Sequence, residues 1–199
     1  MAKADWCLVS PTTGTEDTVV AVSGRETHTG RVTRATQLTI NTTYGTPSIQ
    51  KIVGVTQDFT PVFIKTSNLT IGATGGTLFV TGTSNSTRLT FSASGIVAPV
   101  QYYVNSNTAT SGVDIPGDPG ATAQYNWRAQ VAIPVNNTIY EREFSVTIVA
   151  FGVANPAVCI ITQEAGAPTL VADPDSIQLP TNGGTRSFQI TSNTTWKIS

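Results

Sequence analysis

The chain repeats itself out of phase. Leu69-Thr70-Ile71, Gly75-Gly76-Thr77 and Thr83-Ser84-Asn85 recur as Ile177-Gln178-Leu179, Gly183-Gly184-Thr185 and Thr191-Ser192-Asn193, each 108 positions further on. Arg34-Ala35-Thr36-Gln37-Leu38-Thr39-Ile40 recurs as Arg142-Glu143-Phe144-Ser145-Val146-Thr147-Ile148, again displaced by 108. Both of these copies close on Thr-Gln, at Thr56-Gln57 and Thr162-Gln163. The chain therefore reads as a back half, a whole unit and a front half of one fold. A period of this kind constrains architecture before any local argument does.

Composition says what sort of unit repeats. About one residue in six is Thr, Val is abundant, and charged residues make up only 12%. β-Branched residues with few charges favour strands, and no segment carries a sustained apolar 3.6-residue period. A formal net charge of −1 and the lack of a basic stripe argue against nucleic acid. No run of about 18 apolar residues suggests a membrane helix. Met1-Ala2-Lys3-Ala4-Asp5-Trp6 leads almost directly into a strand pattern, without the apolar core of a secretory signal, and reads as an ordinary initiation. Cys7 and Cys159 fall in different units and read as buried free thiols.

Short alternating segments punctuated by turn residues place the strands. The back half, 5–57, carries strands over 6–9, 18–23, 32–42 and 49–56, with Ala35, Leu38 and Ile40 as core candidates. The whole unit spans 62–166. Its strands lie near 69–71, 78–83, 87–92, 125–134, 140–150 and 157–162. Its core is expected to include Leu69, Ile71, Val80, Leu89, Val131, Ile133, Val146, Ile148 and Ile160. Gly75-Gly76 and Gly183-Gly184 read as hairpin turns. Residues 95–124 enlarge this unit relative to the other, with an extra strand over 100–104 and an exposed loop at Asp114-Ile115-Pro116-Gly117-Asp118-Pro119-Gly120. The front half, 169–199, repeats the opening strands. The fold class is all-β: two immunoglobulin-like antiparallel β-sandwiches.

Joining the end of the chain to its beginning sharpens a resemblance. Ser192-Asn193-Thr194-Thr195-Trp196 would run into Asp5-Trp6-Cys7-Leu8-Val9-Ser10-Pro11 with Gly14, then Arg34, then Thr56-Gln57. In these residues the chain resembles the BACON domain, a small immunoglobulin-like module. The whole unit matches it at both ends and departs from it in the enlarged region, where Arg88-Leu89 stands in place of Trp196. The resemblance implies an origin among surface and secreted proteins of gut Bacteroidetes or the tailed phages that infect them. It also implies carbohydrate or mucin binding as a proposed activity. An unprocessed start and two bare modules with no enzyme beside them fit a phage virion protein better than a bacterial surface or secreted one.

Half a sandwich exposes an apolar face and unpaired edges. The simpler completion is within one chain, with 169–199 returning to 5–57 to give a circularly permuted domain into which the other is inserted. The alternative is completion by a neighbouring subunit through strand addition, which generates rings or filaments. A third reading is a truncated chain.

Little in the sequence supports catalysis, and no cofactor is expected. His28 is the single histidine, set in a polar stretch that reads as an exposed loop, and no Gly-x-Ser-x-Gly elbow accompanies it. One His and two distant Cys cannot supply a zinc site. Asp114 and Asp118 form a weak calcium candidate, against which stands a solvated turn. Tyr102, Tyr103 and Tyr125 border the enlarged region and are candidates for stacking on a sugar ring or contacting a partner; ordinary packing is the alternative. Trp6, Trp127 and Trp196 read as core residues.

The functional expectation is a non-enzymatic virion structural protein, assembled in the host cytoplasm. It would act as a capsid auxiliary or decoration protein bridging subunits of the major capsid protein or another virion component. The alternatives are a glycan-binding adhesion module and a self-associating, head-to-tail fibre or tail component.

Overall fold

The structure is a computed structural model describing residues 3–199, so the Met1-Ala2 start lies outside the described residues. It is all-β: the one helical element among the described residues is a 3₁₀ turn, Pro119–Ala121. The strands are β1 Cys7–Ser10, β2 Ala21–Gly24, β3 Arg34–Asn41, β4 Gln50–Gln57, β5 Ile64–Thr66, β6 Leu69–Ile71, β7 Gly76–Ser84, β8 Leu89–Ser94, β9 Gln101–Val104, β10 Asn107–Thr110, β11 Tyr125–Ile133, β12 Arg142–Ala150, β13 Ala157–Gln163, β14 Leu170–Asp173 and β15 Gln189–Ser192.

β5 to β13 form a complete two-layer sandwich. One sheet has the order β10-β9-β11-β7-β5, the other β6-β13-β12-β8. The two inner faces alternate as period-2 strands must. β11 buries Tyr125, Trp127, Ala129, Val131 and Ile133 and exposes the residues between them. β12 buries Phe144, Val146, Ile148 and Ala150 and leaves the residues between them half-buried or exposed. Of the expected core, Val80, Leu89, Val131, Ile133, Val146 and Ile148 are buried, and Leu69 and Ile71 pack against them half-buried. Ile160 is displaced by one position: Cys159 and Ile161 face the core and Ile160 lies half-buried on the other face. A single step along a strand changes the face.

The pairing is antiparallel except between β6 and β13, which run parallel with Leu69 opposite Ile161 and Ile71 opposite Gln163. Gly75-Gly76 is consequently no hairpin. It is the corner at which the chain leaves one sheet for the other, with φ of +64° and +126°. A Cβ on Gly75 would lie 2.2 Å from the Ile133 carbonyl oxygen, so glycine serves both the backbone angle and the close approach. The enlarged region contributes not one strand but a hairpin, β9-β10, turning on Asn105 and Ser106 at φ +45° and +77°.

The flanking segments are open. On the N-terminal side β1 pairs with β2 and β3 with β4. On the C-terminal side β14 pairs with β15. Among the described residues no sheet joins these ladders to one another, and 169–199 do not pair with 5–57. The reason lies in the complete unit between them. The N-terminal segment docks beside Ser84 and Tyr125: Arg31 N–H donates to the Gly120 carbonyl at 3.0 Å, and Gln124 N–H donates to Thr29 Oγ1 at 2.9 Å. The C-terminal segment docks beside Ile133 and Gly76, through Asn193. β7 and β11 pair with Ser84 opposite Tyr125 at one end and Gly76 opposite Ile133 at the other. A strand of nine residues separates the two docking points by about 30 Å.

Candidate functional site

The expected site residues do not converge. Tyr102 and Tyr125 are core residues. The Tyr102 ring lies 5.0 Å from that of Phe91, and the Tyr125 hydroxyl donates to the Ser86 carbonyl at 2.9 Å. Burial pushes the Tyr102 hydroxyl up to about 12 and raises that of Tyr125 as well. Neither ring presents a face to a ligand, which corrects the expectation for this pair. Tyr103, one step along β9, points the other way. It lines a shallow open groove with Thr81, Asn105, Asn126 and Arg128, whose guanidinium sits 4.9 Å from the Tyr103 ring.

Asp118 is engaged by an arginine. Arg31 of the N-terminal segment grips its carboxylate with both guanidinium nitrogens, Nη1 to Oδ1 at 2.6 Å and Nη2 to Oδ2. Asp114 lies 3.6 Å from Arg88 Nη1. Among the described residues no cluster of His, Cys, Asp and Glu could hold a metal ion. His28 is buried rather than solvated, and its Nε2 donates to the Val32 carbonyl at 2.7 Å. Cys7 and Cys159 are free and buried, and burial raises the Cys159 thiol, the opposite of an activated nucleophile. Trp127 is buried as expected, Trp6 is half-buried beneath Arg34 at 4.7 Å, and Trp196 is 52% exposed.

The structure does bring together two joints, and they are the same joint twice. At the first, Asn85 Oδ1 accepts from Phe63 N–H at 3.0 Å, while Asn85 Nδ2 donates to the carbonyls of Thr29 (3.1 Å) and Pro61 (3.3 Å). At the second, Asn193 Oδ1 accepts from Thr169 N–H at 2.8 Å, while Asn193 Nδ2 donates to the carbonyls of Asn137 (2.8 Å) and Ala167 (2.9 Å). Thr60 N–H donates to the Gly30 carbonyl at 2.8 Å, and Gly166 N–H to that of Thr138 at 2.6 Å. His28 at the first joint stands where Asn136 stands at the second. Asn136 Nδ2 donates to the Tyr140 carbonyl, the counterpart of Val32. Asn85 and Asn193 belong to the repeated Thr-Ser-Asn motif, so the signal was present in the sequence. Their role as hinge pins was not.

Each joint leads to an open apolar face. Leu38 and Ile40 of β3 correspond to Val146 and Ile148, and Val53 of β4, opposite Leu38, corresponds to Cys159, opposite Val146. Ile148 and Cys159 are fully buried, but Ile40 is 56% and Val53 45% exposed. At the other end Leu179, Phe188 and Ile198 are equally uncovered.

The class this geometry defines is an all-β protein of immunoglobulin-like sandwich modules, one closed and two open. Among the described residues no helix is long and apolar enough to cross a membrane. No protein-family profile matches the chain, and no curated protein does. Among solved structures, an NMR structure of a protein from Bacteroides thetaiotaomicron is similar at 16% identity and a TM-score of 0.29, over 54% of this chain and 89% of that one.

Proposed function

We propose that this chain is a non-enzymatic structural protein of a tailed-phage virion, an auxiliary or decoration component that bridges neighbouring subunits of the shell. One observation carries the reading: a closed sandwich holds two open half-modules at opposite ends, about 30 Å apart by strand length. A bridge needs two contact surfaces facing apart, and apolar faces with free strand edges suit lasting contacts between subunits. The placement in a virion is supported by the BACON-like motifs alone. In the experiment that tests it, the protein is added to capsids of the phage assembled without it. It should co-sediment with them and raise the temperature at which they release DNA. A protein that stays in the supernatant overturns the virion role.

A second reading, adhesion to a glycan, is favoured by one feature, the Tyr103–Arg128 groove. An aromatic face beside amide and hydroxyl side chains is what a sugar ring needs. Retention on a mucin column that is lost on Tyr103→Ala would select this reading over the first.

A further inference from the structure

We infer that the occupant of each open half is a second copy of this chain: residues 169–199 of one molecule complete the sandwich begun by residues 5–57 of the next, in a head-to-tail series. The inference deepens the structural role proposed above by naming the partner.

The complete unit serves as the template. In it, the Gln163 amide donates to the carbonyls of Ala73 (3.1 Å) and Pro134 (2.9 Å), and Gln163 Oε1 accepts from Arg142 Nε at 2.8 Å. In the N-terminal half, Gln57 Oε1 accepts from Arg34 Nε at 2.9 Å, and its amide donates to the Glu26 carbonyl, the counterpart of Pro134, at 3.1 Å. The contacts that have no counterpart are those to Gly72 (3.4 Å) and Ala73, at the end of the opening strand. The residue 108 positions beyond Ala73 is Thr181, in the C-terminal half. One half holds the donor and the other the acceptor.

The halves are also preformed for each other. Gly183-Gly184 has φ of +80° and +135°, the shape of the Gly75-Gly76 corner, and Gly183 N–H donates to the Pro180 carbonyl at 3.0 Å as Gly75 N–H does to that of Gly72. Around Gly75 the approach of Ile133 demands glycine, whereas around Gly183 nothing lies within 4 Å. The corner keeps the same bend without a neighbouring strand against it.

Side-chain volumes agree. In the complete unit Trp127 pairs with Gly82, which leaves no room for a Cβ. The same positions in the two halves are Val19 and Ile190. A large and a small residue are exchanged for two of middle size, which keeps the volume of a packed layer. The template sets the register. Ile177, Gln178 and Leu179 would lie parallel to Val55, Thr56 and Gln57, as Leu69, Thr70 and Ile71 lie against Ile161, Thr162 and Gln163. Phe188 would stand opposite Ala21 as Val80 stands opposite Ala129. Because the Asn85 and Asn193 joints match, every module would pass to the next by the same rotation. A repeated heterologous contact of that kind closes as a ring or extends as a helix.

The test uses the full chain and two variants, Ile40→Asp and Leu179→Asp. Both residues are exposed in the single chain, so neither change disturbs the closed unit. In sedimentation velocity at rising concentration the unaltered chain should form a series of multiples. Each variant alone should remain a single chain, because every junction would then lack one intact face. Mixing the two should give a species of twice the single-chain mass and no more, because one open pair of faces remains intact. In a separate variant, Thr56→Cys with Gln178→Cys should trap disulfide-linked multiples on a non-reducing gel. A single-chain mass at every concentration overturns the inference, as does a disulfide that closes within one chain. Multiples that form without binding capsids would remove the virion role and leave the head-to-tail contact standing.

Discussion

Asn85, fully buried, donates its side-chain amide to the Thr29 carbonyl across the first joint at 3.1 Å, and Asn193 repeats the bond to Asn137 at 2.8 Å across the second. A primary amide suits such a joint because it offers two donors and an acceptor on one short stem. Asn85→Ala leaves the Phe63 N–H and three carbonyls to find other partners. A cost of about 1–3 kcal/mol in chemical denaturation is expected. Limited proteolysis within residues 58–61 should quicken with it. Unchanged cleavage there would show that Asn85 does not pin the joint.

The equivalence of the joints makes His28 replaceable in one specific way. Asn136 occupies the same position and makes the same bond to a carbonyl. His28→Asn should therefore change stability by less than about 1 kcal/mol, whereas His28→Leu strands the Val32 carbonyl and should cost about 1–3 kcal/mol. Thermal melts of the two variants decide it, and equal losses would reject the equivalence.

Gly82 is where the closed sandwich has no slack. A Cβ there would meet the Lys65 carbonyl oxygen and stand 2.6 Å from the Trp127 ring. Overpacking at a rigid site costs about 1–3 kcal/mol, so Gly82→Ala should lower the melting temperature by several degrees and perturb the near-ultraviolet signal of Trp127. A variant that melts with the parent would mean that Trp127 can yield.

Tyr102 and Tyr103 should separate cleanly. Tyr102→Ala empties a fully buried site and should destabilise by about 3–5 kcal/mol, as removal of a large aromatic does. Tyr103→Ala, on the outer face, should melt within about 1 kcal/mol of the parent and alter only what the groove binds. Similar melting losses in both would contradict the alternation of β9.

Alkaline titration should expose the two buried tyrosines. The Tyr102 hydroxyl, raised by burial to about 12, ionises near pH 10 in the unfolded chain. Between these values the unfolded state holds fewer protons than the folded one, so stability falls as pH rises. It should be complete below about pH 10 and be lost as pH passes through 12, with tyrosinate absorbance from these residues appearing only with unfolding. Early, reversible ionisation of every tyrosine in the folded protein would count against the buried positions.

How far the residues alone reveal this architecture depends on the kind of signal. The repeat was legible because Gly-Gly corners, Thr-Gln closings and the Thr-Ser-Asn motif are compact and locally exacting. The strand faces were legible wherever apolar residues alternate, as in β11 and β12. Ile160 misled because Cys159-Ile160-Ile161 is apolar throughout and carries no alternation. β10 was missed because Asn107-Thr108-Ala109-Thr110 is polar and short, and it pairs only because β9 offers an edge. The tyrosines misled together when they had to be read in opposition, since Tyr102 and Val104 share one face and Tyr103 takes the other. His28 looked like a loop residue until its counterpart Asn136 was seen to be buried. Asp118 looked like an exposed turn, and its partner Arg31 lies 87 positions away, beyond any local pattern.

The matched joints have one more consequence. In a string of the kind inferred above, each joint would connect the end of one module to the start of the next, so the string would have an arrow and two chemically different tips. Growth could be stopped at either tip by a different cap, and the Tyr103 grooves would come round at a fixed pitch, so that even a feeble hold on each would add up along the string.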